Sequence, residues 1–318
     1  MKKLTAILLT ACMAALLLAG CGSAETTPIN IAALQGPTGM GIVTLMGEEF
    51  ASKYNITIES APDAVTGKLI NGELDIAAVP INLASVLYNK TEGNIVMIAV
   101  NTLGVLYVLE DGDTVNSMAD LAGKTLYATG QGSTPEYMLA YLLEKSGLTE
   151  SVTVEYLTEH SELAALMASG EVKLGMLPEP NVSATLAKNS NLRVALDLTE
   201  EWNKVAGVEP VQGCIVVRKD YFEENETAVR LFLKEYNAAV NYTNANHAET
   251  AALMEQYGIL ASAAIAEQAI EKCNIVCYRD EQMRTAAEAM LQVLYDANPE
   301  SVGGAMPGDD FYYSEAEE

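Results

Sequence analysis

Residues 69–85 read LINGELDIAAVPINLAS, and residues 167–183 read MASGEVKLGMLPEPNVS. At a shift of 98 positions Gly72 falls on Gly170, Glu73 on Glu171, Pro80 on Pro178 and Ser85 on Ser183. Each copy reads as a helix end, a glycine stop, a buried strand and a proline at a strand-to-helix turn. Upstream of the first copy, INIAALQGPTGMGIV from Ile29 reads as another strand, turn and helix; upstream of the second, KTLYATGQGSTPEYM from Lys124 does the same. The repeat therefore predicts two similar units of roughly a hundred residues, each the size of an ordinary domain. Strands alternating with helices predict α/β layers, with helices covering a mainly parallel sheet in each unit.

The segments between the copies connect them. NIVMIAVNTLGVLYVLE (94–110) reads as a strand that leaves the first unit and enters the second, and VQGCIVVRKDY (211–221) reads as the return. Lobe 1 is then expected over 29–103 and 213–305, and lobe 2 over 104–212. A two-strand hinge is expected at 101–106 and 212–215. Beyond the return the chain reads as helical, with Asn225 as an N-cap before Val229, Phe232, Leu233, Tyr236 and Val240 on one face. Asn246 with Glu249 resembles a capping box, and Asp280 precedes Met283, Met290, Leu291 and Leu294. The acidic tail, 306–318, reads as a solvated end.

The N-terminus bears on location. Lys2 and Lys3 precede the apolar LTAILLTACMAALLLAG (4–20), and Leu18-Ala19-Gly20 runs into Cys21 and the small, polar GSAETTP. This is the pattern of a lipoprotein signal peptide over 1–20, cleaved before Cys21, with residues 21–28 as a linker. The lipidated thiol would hold the protein on the extracytoplasmic face of the cell membrane. The formal charge of −25 becomes −27 without Lys2 and Lys3, which argues against nucleic acid or anionic lipid as a partner. With only His160 and His247, no histidine cluster points to a metal. Cys214, Cys273 and Cys277 can form one bridge at most and read mainly as buried thiols; Cys273 and Cys277 lack redox-pair spacing.

In open α/β sheets ligands bind beyond the carboxyl ends of strands, where helices begin. The glycine-rich ATGQGSTPEYML (128–139) is such a place, but no lysine lies between Lys124 and Lys145, and Pro135 stands where a dinucleotide fingerprint needs its third glycine. It reads instead as a helix mouth for a small polar solute, with Thr134 as N-cap and Pro135 at the first helical position. The candidate binding residues are Gly36, Thr38 and Gly39, then Pro80 and Asn82, then Gln131, Gly132, Ser133 and Thr134, with Glu179 in the last turn. Asn101, Thr102 and Gln212 join them from the crossings. No catalytic residue, cofactor or metal is expected. Trp202 could line the cleft or cover lobe 2.

The lipobox, Gly132-Ser133, Glu179-Pro180 and the return strand CIVVRKDYF (214–222), taken in order over roughly 28–300, resemble extracellular solute-binding lipoproteins of ABC importers. The resemblance is to the SsuA/THI5/NMT1-like group, associated with aliphatic sulfonates, nitrate-like anions and thiamine-precursor pyrimidines. It implies a two-lobed type II periplasmic-binding fold that captures one small solute and delivers it to an ABC permease and its ATPase. It also implies a monomer that meets the membrane through its lipid anchor alone. Pro178 departs from the aromatic residue many members carry before the acidic-proline pair. A THI5-like pyrimidine-synthase enzyme is the alternative, but it needs a catalytic histidine and iron-binding cysteines, and His160 and His247 read as solvated helix-start residues. A non-transport surface lipoprotein is the other alternative, though neither a repeat array nor a stalk is present. The four turns carry Glu179 but neither Lys nor Arg. That favours a neutral or zwitterionic, pyrimidine-like solute with a donor toward Glu179 and its acceptor end toward Thr38, Ser133 and Thr134. Substituting Cys21→Ala is expected to abolish N-terminal processing and membrane retention; fractionation showing both unchanged would refute the anchor.

Overall fold

The computed structural model describes residues 27–315, so Cys21 and the signal sequence lie outside the described residues. Among the described residues eleven strands form two sheets. The first contains β1 (Ile29–Leu34), β2 (Tyr54–Glu59), β3 (Ile76–Pro80), β4 (Ile95–Thr102), β10 (Gly213–Arg218) and β11 (Ile275–Tyr278) in the order β11-β4-β10-β3-β1-β2. The second contains β5 (Leu106–Asp111), β6 (Thr125–Thr129), β7 (Thr153–Leu157), β8 (Leu174–Pro178) and β9 (Leu192–Asp197) in the order β7-β6-β8-β5-β9.

Both sheets are mixed rather than mainly parallel. β1 pairs in parallel with β2 and β3, and β6 with β7 and β8. The crossing strands reverse the direction: β5 runs antiparallel to β8 and β9, and β10 antiparallel to β3 and β4. The repeat itself holds locally. Gly72 (φ 76°) and Gly170 (φ 81°) both follow a helix in the left-handed region, which an L-residue enters only at a cost. The strands after them, β3 and β8, are buried nearly throughout, as apolar runs covered on both faces are.

Residues 103–105 and 206–212 are the chain's two passages between the sheets. One apolar core includes Val79 and Met97 of the first sheet and Val108 and Met176 of the second. Trp202 is fully buried in it, 5.0 Å from the Tyr141 ring, and its indole N–H donates to the Val208 carbonyl at 2.9 Å. Its place is the core, not the cleft. Cys214, Cys273 and Cys277 are free thiols.

Two expected caps take other partners, and Asp280 serves the tail. Asn225 lies inside the helix Lys219–Ala245 at a kink (φ −130°), where its amide donates back to the Tyr221 carbonyl. Asn246 likewise donates back to Tyr242, and Glu249 accepts from the Tyr242 hydroxyl instead of closing a capping box. Asp280 accepts from the Glu315 amide at 2.7 Å. That contact belongs to the second difference: the tail, as far as it is described, docks on the first sheet. Phe311 is fully buried against Tyr88, Tyr313 N–H donates to the Met97 carbonyl, and Asp310 pairs with Lys219 at 2.9 Å. The acidic residues mask an aromatic Phe311-Tyr312-Tyr313 run, whose burial outweighs the solvation of its neighbours. Phe311→Ala is expected to cost about 3–5 kcal/mol of stability, in line with other large-to-small core changes. Denaturant unfolding with no shift in midpoint would return the tail to solvent.

Candidate functional site

The carboxyl ends of strands from both sheets open on one cleft of about 830 Å³. Gly36 and Thr38 reach it after β1 and Pro80 at the end of β3. Gln131, Gly132 and Ser133 line it after β6, and Glu179 after β8. Thr102 and Gln212 add the two passages between the sheets.

The other four candidates stand behind this surface. Asn101 is buried; its amide donates to the Thr38 carbonyl at 3.0 Å and its oxygen accepts from the Thr102 hydroxyl at 3.1 Å. It holds the first turn against the crossing. Asn82 bridges the two sheets' helices: its oxygen accepts from the Thr134 hydroxyl at 3.0 Å, and its amide donates toward the Ser301 and Gly132 carbonyls. Thr134 is therefore buried with its hydroxyl occupied, and the N-cap position falls to Ser133. Gly39 is a steric requirement, because a Cβ there would stand 2.2 Å from the Leu34 carbonyl oxygen.

Sequence reasoning missed the edge of each sheet. ITIESAPDAV (56–65) brings Ser60 and Asp63 to the cleft, and VEYLTEHSELA (154–164) brings Tyr156, Glu159, His160 and Ser161. Both are strand ends followed by helix starts, the same signal that located the other turns, but they lie outside the repeated 17-residue segments. His160 opens the helix His160–Ser169 and is half-buried rather than fully solvated. Its Nδ1 lies 2.6 Å from the hydroxyl of buried Thr129, and burial pushes its pKa below the ordinary histidine value, with Glu159 opposing. His247, by contrast, is exposed, with Nε2 against the Asn244 carbonyl. Tyr156 of β7 is an aromatic residue in the cleft lining, where the position before Glu179 holds Pro178.

Glu179 has a local use. Its carboxylate accepts from the Ser183 amide at 3.1 Å and the Ser183 hydroxyl at 3.0 Å, at the start of the helix Asn181–Lys188. Burial raises its pKa; the Ser183 hydrogen bonds and Lys272, 4.0 Å away, pull the other way. Two more carboxylates act alike beside the cleft: Glu136 accepts from the Gly132 amide and Glu255 from the Ala263 amide. Among the described residues no His, Cys, Asp and Glu converge as a metal-binding set, and no helix is long and apolar enough to cross a membrane.

A family model described as menaquinone biosynthesis matches residues 30–295. No curated protein matches the chain significantly. Among solved structures, an ABC transporter protein from Parabacteroides distasonis is 25% identical, with a TM-score of 0.77 over 91% of this chain and 100% of its own. The periplasmic aliphatic sulphonate binding protein SsuA of Escherichia coli is 17% identical, with a TM-score of 0.73 over 92% of this chain and 93% of its own. The periplasmic nitrate-binding protein NrtA of Synechocystis is 12% identical, with a TM-score of 0.64 over 87% of this chain and 84% of its own. The structural neighbours are thus SsuA-like binding proteins, as the sequence resemblance implied, and the fold is their two-lobed one.

The lowered His160 pKa has a consequence for stability. The unfolded chain takes up this proton first, so the contribution of a neutral His160 is present above about pH 6.5 and declines as pH falls toward the folded value. The stability difference between wild type and His160→Gln is expected to shrink over that interval. Thermal melts showing a pH-independent difference would mean that the ring is solvated.

Proposed function

The chain belongs to the family described as menaquinone biosynthesis, and from its likeness to two-lobed binding proteins we propose that it serves as the solute receptor of an ABC importer. The observation that carries this reading is the cleft, lined from both sheets and, among the described residues, crossed by two passages of chain. Lobe 1, residues 29–103 and 213–305, and lobe 2, residues 104–212, would close on a small organic solute and present it to a permease. Lipid at Cys21 would hold the receptor at the outer face of the membrane. Closure needs little rearrangement of either sheet, because bending can concentrate in the short passages.

A second reading rests on the family description and on His160, whose ring is oriented by Thr129 as a general base must be oriented by a neighbour. It makes the same cleft the active site of a biosynthetic enzyme. One experiment separates the two. Compounds that stabilise the protein are incubated with it and recovered for mass spectrometry. A receptor returns its ligand unchanged, and at a hundred times the dissociation constant the ligand adds about 2.7 kcal/mol of stability. Small-angle scattering at saturation is expected to show compaction. Recovery of a chemically altered compound, or an unchanged envelope with ligand bound, would reject the receptor reading.

A further inference from the structure

Thr129 ends β6 and His160 opens its helix, and the two meet through the Thr129 hydroxyl and His160 Nδ1 at 2.6 Å. Thr129 is 1% exposed, and among the described residues its hydroxyl has this nitrogen as its one hydrogen-bond partner. Two arrangements fit the contact. Either the hydroxyl donates to a lone pair on Nδ1, or an Nδ1–H donates to the hydroxyl oxygen. The second leaves the hydroxyl proton without an acceptor in the interior, and a buried donor without a partner carries its full desolvation cost. The first leaves nothing unpaired. A neutral imidazole whose Nδ1 holds the lone pair carries its proton on Nε2. Burial already favours the neutral ring. An imidazolium would also set an Nδ1 proton against that of Thr129. Nε2 itself has no protein partner among the described residues and is not one of the sealed, unpartnered polar atoms, and His160 lines the cleft.

We propose that Thr129 fixes His160 as the Nε2–H tautomer, so that the ring is a hydrogen-bond donor to a solute in the cleft and not a base. His160 then meets an acceptor oxygen or ring nitrogen of the solute, and Thr129 is the positioning residue behind it. The solute contact rests on the receptor reading, whereas the tautomer is a property of the chain alone. A proton acceptor for the biosynthetic reading has to come from elsewhere in the cleft, because Nε2 has no lone pair to offer.

Nitrogen NMR of the histidine-labelled full chain reads the tautomer, because the protonated and bare nitrogens of a neutral imidazole resonate far apart. The chain holds two histidines, so a variant with His247→Gln leaves His160 as the one labelled ring. A protonated Nε2 and a bare Nδ1 are expected at neutral pH. That pattern is expected to persist when Thr129→Ser is added, and to average partly toward the other tautomer with Thr129→Val. A protonated Nδ1 with Thr129 in place overturns the donor assignment and gives the cleft a base; the receptor reading, which stands on the cleft itself, is untouched by that result. An unchanged pattern in folded Thr129→Val overturns the positioning role of Thr129. Should the valine variant not fold, the spectra with Thr129 and with Thr129→Ser still decide the tautomer.

Discussion

Three segments of chain meet where the return strand enters the first sheet. Gln212 N–H donates to the Thr102 carbonyl at 2.9 Å, the Gln212 carbonyl accepts from Ile81 at 3.1 Å, and Gly213 stands opposite both Pro80 and Thr102. The outgoing passage, the incoming passage and a cleft turn are thereby bonded in one row. Asn101 extends that row to Thr38 through its buried amide. Asn274, from the far side, adds contacts to the outgoing passage, accepting from Leu103 N–H and donating to the Gly104 carbonyl. These bonds tie both passages to the cleft turns, and the buried Asn101 amide is used within that framework. An unpaired amide at such depth would carry the full cost of lost hydration.

The same accounting explains the electrostatics. Helix starts leave backbone N–H groups without partners, and an acidic chain supplies carboxylates in quantity. Glu136, Glu179 and Glu255 meet that need from within the protein. The residues that line the cleft accordingly include carboxylates and neither Lys nor Arg. Two like charges about 4 Å apart repel by about 1 kcal/mol in water and about 4 kcal/mol at an effective dielectric near 20. Even the exposed carboxylates at the rim, Asp63, Glu159 and Glu255, therefore act on anything entering, though solvent weakens their reach.

Capture and catalysis draw on one geometry in this fold. A cleft that positions a solute between two sheets also positions it beside His160, and a neutral imidazole held by Thr129 could bind or could move a proton. Fold alone does not decide between these, since unrelated chemistries share a scaffold. The family match and the binding-protein likeness describe the same backbone from different sides. Chemistry at the cleft distinguishes them, and that chemistry is local to a handful of side chains.

The sequence by itself determined the alternation of strand and helix, the repeated turn at Pro80 and Pro178, and the two passages between sheets. Those features are written in neighbouring residues: apolar runs, glycines that must adopt positive φ, prolines at strand ends. It also indicated which loops would meet, because strand ends in parallel pairs point one way. It did not show which hydroxyl faces the cleft. Thr134 reads as a helix mouth and is buried on Asn82, fifty-two positions earlier in the chain. His160 reads as a solvated start and lies against Thr129. Phe311 reads as part of an acidic tail and sits in the core. Each of these outcomes depends on a partner distant in sequence, and a buried donor or ring takes whichever partner packing brings within reach. Only the tertiary structure decides that, because local pattern specifies backbone direction and not the neighbour at the end of a side chain.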